Sequence, residues 1–529
     1  MRTLETLPTE MVREIFLHVD DPDLCNLRLV SRYIGEVAST IFMEEIGFCM
    51  AKQDFDMLGA LADHPVYPNH IASLVYFVDT LSLEPQTLEM YTAAIKGTEK
   101  MMSQFPDPDP ALTEAQLLEH YNRYQQFYRE QDDILSSDRD YEVLKEVISK
   151  LPNLREVSVS SDDEFSFQQN SPFKSCRHSG VGDFAYNRAS VRHLRAILSG
   201  VQAAGTKLKA IRAGLIHHEF FDEAKFGLHS MIDLLGNITW FDMVIEATGE
   251  MDWDIGHENP DEIAAEIALC RAVMSKRVLR RILDAMPNIV SLRLELVEIH
   301  SQPTGANVYP AALRDIVPLD KKWPNLKYFT ISNVETDRQE LGNFLVRHKE
   351  TLKSYALEQI GLASTSWIEL LSYLKSNFAD TKVQPLIADL IVGKSEDGLD
   401  TLEMWDLFMS DPPSDINSLQ AAVHDYLTSS MECPCPLRDD NMWSTDAEFD
   451  DHDDEFDDDD DEFDVEDDDA SDWEEDDDGM DYGWDIPELF SGLVFPGLAH
   501  QWRMAHMRGE SDLDEEESEE SEDDMPELV

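Results

Sequence analysis

Apolar residues recur at helical spacing from the start of the chain. Met11, Ile15 and Val19, flanked by Val12 and Phe16, make a wide apolar stripe. Pro8 and Glu10 mark where that helix begins, since proline at a first helical position gives up no needed donor and an acid there suits the helix dipole. Asp20-Asp21-Pro22-Asp23 breaks the run, Leu24 and Leu27 begin a second short helix, and Ser31 caps a third with Ile34, Val37, Ala38 and Ile41 on one face. Three helices this short bury little by themselves, so the segment needs a partner or the following domain.

The body, 46 to 430, carries a recurring phrase. Leu151-Pro-Asn-Leu154-Arg-Glu-Val157-Ser-Val159, Met286-Pro-Asn-Ile289-Val-Ser-Leu292-Arg-Leu294 and Trp323-Pro-Asn-Leu326-Lys-Tyr-Phe329-Thr-Ile331 share one form, and the stretches around Leu208 and Leu352 follow it more loosely. A helical pattern precedes each: 141–150, 191–201, 278–285 and 341–348. Helix, turn and short strand in fixed order predict an irregular α/β solenoid of leucine-rich-repeat type, with anchors Leu154, Leu208, Ile289, Leu326 and Leu352 spaced 54, 81, 37 and 26 residues apart. With Leu154, Val157 and Val159 facing inward, strand alternation turns Glu156, Ser158, Arg212, Arg293, Glu295, Tyr328, Thr330, Ser354 and Glu358 outward, as the candidate substrate-binding row. A helix with the capping box Thr113 to Gln116 carries Leu117, Tyr121, Tyr124 and Tyr128 on one face, expected to be core. The segment 160–187 reads as a loop.

The run Leu7-Pro8-x-Glu10-Met11-Val12-x-x-Ile15-Phe16, followed by Asp23-Leu24-x-x-Leu27-x-Leu29-Val30-Ser31-Arg32, resembles an F-box, the module by which substrate receptors attach to the Skp adaptor of Skp-cullin-F-box ubiquitin ligases. Ile34 stands where that family more often has an aromatic residue. The body, with a stretch His64-Pro65-x-x-x-x-His70-Ile-Ala-Ser-Leu-Val-Tyr76 and the Tyr-rich helix, is similar to fungal-type F-box proteins with degenerate leucine-rich repeats. The resemblance implies an F-box at 1–45, a solenoid at 46–430 and no chemistry of its own. It also implies an adaptor-facing set of Leu7, Pro8, Ile15, Leu24, Leu27, Leu29, Val30 and Ser31. The partners it implies are a Skp-type adaptor, cullin through that adaptor, and a protein substrate.

Charge narrows the choice further. The 529 residues hold 108 Asp and Glu against 42 Lys and Arg, a net charge of −66, and positions 446 to 529 contribute 39 acidic and 2 basic residues. Such a surface repels nucleic-acid phosphates and anionic membranes, so neither is expected as a partner. The segment 431–529 is expected to be a disordered acidic tail, with an apolar island at 480–507. No lysine follows Lys394. The opening residues show no apolar signal core and the six cysteines are too sparse for a disulfide framework, so a cytoplasmic or nuclear protein with reduced thiols is expected. Phosphate-loop, zinc-protease and nucleophile-elbow spacings are all missing, so no enzyme, cofactor or metal is expected. Cys433-Pro-Cys435 lacks a second ligand pair, and the acidic run from Glu474 to Asp485 departs from a calcium loop. His217 and His218, as chain neighbours, are expected to point to opposite sides. Three functions remain: a ligase substrate receptor, an F-box scaffold outside a ligase, and an acidic chaperone or decoy for basic proteins.

Overall fold

The computed structural model describes residues 4–428, except 17, 20, 79, 82–86, 94–112, 161–185, 223–233, 248–259, 298–308, 366, 379–380 and 389–425. The chain divides into two units, Met1–Leu437 and Arg438–Val529, and every described residue belongs to the first. Most of the expected loop at 160–187, the cysteine pair at 433–435, the acidic run and the 480–507 island lie outside the described residues.

Three short helices open the fold: α1 (Thr9–Phe16), α2 (Asp21–Leu27) and α3 (Arg32–Phe42). The Asp-Pro stretch begins α2 instead of separating it from α1, because proline in a first turn lacks only a donor that has no partner there. Ser31 caps α3 as expected, its hydroxyl accepting from the Ile34 amide at 3.3 Å. Val12, Phe16, Leu24, Ile34, Val37 and Ala38 close a small core of their own. Gly35 permits it: a Cβ there would stand 2.5 Å from the Arg28 carbonyl oxygen, so only glycine lets the α2–α3 turn settle on α3. Glu44 ties this unit to the body, accepting from Arg13 and from Arg155, each at 2.8 Å.

The body runs β1 (Glu45–Phe48), α4 (Lys52–Ala62), β2 (Ser73–Phe77), α5 (Glu114–Ser137), α6 (Arg139–Ser149), β3 (Glu156–Ser160), α7 (Tyr186–Ala204), β4 (Ala210–His217), β5 (Trp240–Glu246), α8 (Pro260–Met274), α9 (Val278–Asp284) and β6 (Ser291–Val297). It continues with α10 (Leu313–Ile316), β7 (Tyr328–Ser332), β8 (Glu335–Thr336), α11 (Arg338–His348), β9 (Ser354–Glu358), β10 (Gly361–Leu362), α12 (Trp367–Phe378) and β11 (Gln384–Ala388). Nine strands form one parallel sheet in the order β1-β2-β3-β4-β5-β6-β7-β9-β11, while β8 and β10 pair beside it. Every neighbour in the sheet follows in chain order, which is what helix-turn-strand units laid side by side produce.

The phrases align to the residue. Glu156, Ala210, Trp240, Ser291, Tyr328 and Ser354 occupy one continuous rung of the ladder, so the anchors two positions earlier, Leu154, Leu208, Ile289, Leu326 and Leu352, share a rung and are all buried. Two further copies escaped the pattern. Ile238 anchors β5 inside the 81-residue gap, and Ile71 anchors β2 after Tyr67-Pro68-Asn69 with one residue inserted. The phrase asparagines reach backwards: Asn153 donates to the Asn69 carbonyl at 2.7 Å and Asn288 to the Gly236 carbonyl at 3.0 Å, satisfying turn acceptors of the preceding copy.

Inward rows such as Leu74, Val157, Ile211, Phe241, Leu292, Phe329 and Tyr355 pack under α4, α6, α7, α9, α11 and α12 in one continuous core. Gly200 on α7 allows a close helix contact, since its absent Cβ would lie 2.8 Å from Ile148 on α6. The Tyr-rich helix α5 has the expected capping box, and its Leu117 and Tyr124 cover Val75 and Phe77 on the opposite face of β2. Gln131 secures it, exchanging hydrogen bonds with both backbone groups of Leu81 (2.8 and 3.0 Å).

Candidate functional site

The three-helix unit has a small interior and an apolar exterior. Leu29 is 86 % exposed, Val30 66 %, Met11 53 %, Leu4 43 % and Ile15 42 %. Leu29 and Val30 lie in the turn that joins α2 to α3, while Met11 and Ile15 form the exposed side of the α1 stripe beside the buried Val12 and Phe16. Large apolar side chains exposed on so small a unit are a feature that docking surfaces share. Residues 4–44 are an F-box-like domain. No curated protein matches the chain.

Within the F-box-like domain the eight adaptor-facing candidates separate by position. Pro8, Ile15, Leu29 and Val30 are exposed. Leu7 and Leu27 are half-buried against the domain's own core, and Leu24 is inside it with no surface to offer. Ser31 spends its hydroxyl on the α3 cap. Leu4 and Met11 join the exposed set although motif reading passed over them; Met11 sits at the edge of the α1 stripe, which was the available signal, whereas Leu4 lies in a 3-10 turn before α1 and had none. Ile34, where the family more often has an aromatic ring, is a core residue, and the neighbouring Tyr33 hydroxyl donates to the Leu7 carbonyl at 2.9 Å.

The outward face of the sheet carries the other candidate row. Arg212 pairs with Glu156 at 3.2 Å and lies over the Trp240 ring at 5.3 Å. Arg293 pairs with Glu295 at 2.6 Å and approaches Asp242 at 3.7 Å. Burial pulls the Arg293 guanidinium down, and the charges of Asp242, Glu295 and Glu358 more than reverse it, holding the group above the ordinary arginine value. Tyr328, Thr330, Ser354 and Glu358 are half-exposed on the same register. Ser158 departs from expectation: it faces outward but is buried, between Val75, which α5 covers, and Arg212. The arginines of the row are therefore paired with neighbouring carboxylates rather than isolated, and Trp240 and Asp242 belong to it although β5 was not visible in the sequence pattern.

His217 and His218 also depart from expectation. Their rings lie 4.1 Å apart, and both side chains are buried. Strand alternation does not govern them, because β4 ends at His217 and a 3-10 turn, His218–Phe221, begins at the next residue.

Proposed function

We propose that this chain is the substrate-receptor subunit of a Skp-cullin-F-box ubiquitin ligase, of the fungal type with degenerate leucine-rich repeats. The observation that carries the reading is the apolar surface of the F-box-like domain, Leu29 and Val30 above all. Burying two such side chains contributes roughly 1.5 to 3 kcal/mol each, a large return from a unit otherwise stabilised by a six-residue core. The body is read as an irregular α/β solenoid, supported by strands that follow in chain order and by anchors that share one rung. Its outward row from Glu156 to Glu358 is the substrate-facing surface. Ubiquitin chemistry belongs to the ligase's other subunits; this chain raises the local concentration of a substrate lysine beside the conjugating enzyme, in the cytoplasm or nucleus.

Capture of the full-length chain with its bound partners tests this reading. A Skp-type adaptor together with cullin supports the receptor, whereas an adaptor without cullin supports an F-box scaffold. A second reading follows from the 39 acidic residues after position 445: salt-sensitive capture of basic proteins, with no adaptor present, would make the acidic segment the working part.

A further inference from the structure

The carboxyl end of the sheet gathers side chains that the docking reading leaves unused. Between Ala213 and Ile216 the pairing of β4 with β5 slips by a bulge, and Leu215 takes a left-handed backbone (φ 48°), a conformation that bulky residues avoid. The Ser190 hydroxyl donates to the Leu215 carbonyl at 2.8 Å and holds the kink. Its consequence is a change of face. Unbroken alternation from Ala213 would send His217 into the apolar core; after the bulge Ile216 takes that place opposite Ile245, and His217 stands opposite the fully buried Glu246.

The next residues fix His218 and bring in a helix. Phe220 and Phe221 are buried beneath the 3-10 turn, which packs against α8. Asp222, just past the turn, pairs with Lys276, just past α8, at 3.2 Å. With Cys270 and Met274 of α8 directed into the core, Glu266 is left half-buried beside the two imidazoles. One donor atom from each of His217, His218 and Glu266 lies within 4.8 Å of the other two.

We propose that His217, His218 and Glu266 form a binding site for a divalent transition-metal ion of the zinc class. Two imidazoles and one carboxylate are a donor set that suits zinc and discriminates against magnesium and calcium, which prefer oxygen donors alone. Bonds of about 2.0–2.1 Å require donors about 3.3 Å apart around a tetrahedral ion, so side-chain rotations on the order of an ångström close the site. His217 Nδ1 accepts from the Glu219 amide at 3.3 Å, so it is the unprotonated ring nitrogen and can exchange that long hydrogen bond for a metal bond. Three protein ligands leave a position for water or for a group from a bound protein. The ion would clamp the end of β4 to α8, and a cation there would favour the ionised form of the buried Glu246 carboxyl on the adjacent strand.

The test uses the full-length chain, stripped with EDTA and titrated with Co²⁺ at about pH 7.5. Excess Mg²⁺ is present to occupy carboxylate-only sites among the many acidic residues. The proposal predicts one equivalent of Co²⁺ with the intense visible bands of a four- or five-coordinate, nitrogen-ligated ion, displaced by Zn²⁺. Glu266→Gln, whose half-exposed position leaves the fold intact, should weaken binding at least about tenfold, and His218→Ala should abolish the bands. Zn²⁺ should raise the melting temperature of the wild type and not of Glu266→Gln, with the two proteins melting alike in EDTA. A weak six-coordinate spectrum in the wild type overturns the proposal, and so does Glu266→Gln binding as tightly as the wild type. Because Glu266→Gln is decisive by itself, failure of His218→Ala to fold does not shelter the idea.

Discussion

His348 shows how one side chain joins two repeats. It is wholly buried, its Nε2 accepts from the Trp323 amide at 3.0 Å, and its Nδ1 meets the Phe344 carbonyl at 2.9 Å, which fixes a neutral tautomer. The Trp323 indole in turn donates to the Met286 carbonyl, one phrase earlier, at 2.7 Å. Burial lowers the His348 pKa from 6.5; the Phe344 hydrogen bond opposes this, and Arg347 and Lys322 add to it. The unfolded chain therefore takes up a proton before the folded one does. This stability is fully present above pH 6.5 and is lost as pH falls from there through the depressed folded value, by at most about 1.4 kcal/mol per pH unit. Urea melts of His348→Gln should show a lower stability at pH 7.5 and a shallower decline from pH 6.5 to 5.5 than the wild type. A second residue-scale prediction concerns Asp140, a buried carboxylate that accepts twice from Arg192 at 2.9 Å. Asp140→Ala should cost about 2–3 kcal/mol, because it strands a partly buried cation. Asp138→Ala, which removes only an exposed partner of the same arginine, should cost less than about 1 kcal/mol. None of these pairings was legible in the sequence: Asp140 and Arg192 are 52 residues apart, and neither sits in a motif. The histidine pair was legible but misjudged, since a bulge and a turn within four residues leave no periodic trace.

Among elements, the pattern was most informative where burial is one-sided. The four helices preceding the phrases appear at their expected places, and the capping box of α5 starts it where Thr113 and Gln116 said it would. β5 was missed because its phrase, Leu235-Gly-Asn-Ile238, replaces proline with glycine. The shared rung makes a quantitative prediction. Ile238→Ala should destabilise by about 2–4 kcal/mol, like Leu326→Ala, since both remove a buried side chain at one position of the repeat. Lys382, at the corresponding place before β11, is exposed, and Lys382→Ala should change stability by less than about 0.5 kcal/mol. Chemical denaturation of the three variants checks this, and a cost at Ile238 no larger than at Lys382 would contradict the repeat register. In the N-terminal unit, Gly35→Ala should weaken the F-box-like domain by forcing α2 away from α3, read as faster amide exchange in 9–42.

For the whole molecule, the charge of −66 and the F-box-like domain are the two properties on which the proposed partners rest. If residues 431–529 are an acidic tail without a core, as their composition leads one to expect, removing 439–529 should leave the melting temperature of the body unchanged or slightly raised, because a like-charged segment adds only repulsion. A fall of more than about 8 °C would contradict that, since it corresponds to several kcal/mol for a body of this size. The central claim, that the F-box-like domain is an adaptor-docking module, is tested most directly by calorimetry of the full-length chain against a purified Skp-type adaptor, with Leu29→Ala/Val30→Ala beside the wild type. Both side chains stand in solvent, so the double variant keeps its fold. The account predicts saturable binding by the wild type and a loss of about 2–4 kcal/mol in the variant, roughly a 30- to 1,000-fold rise in Kd. A Kd unchanged by the double substitution, or no binding by the wild type, would contradict it.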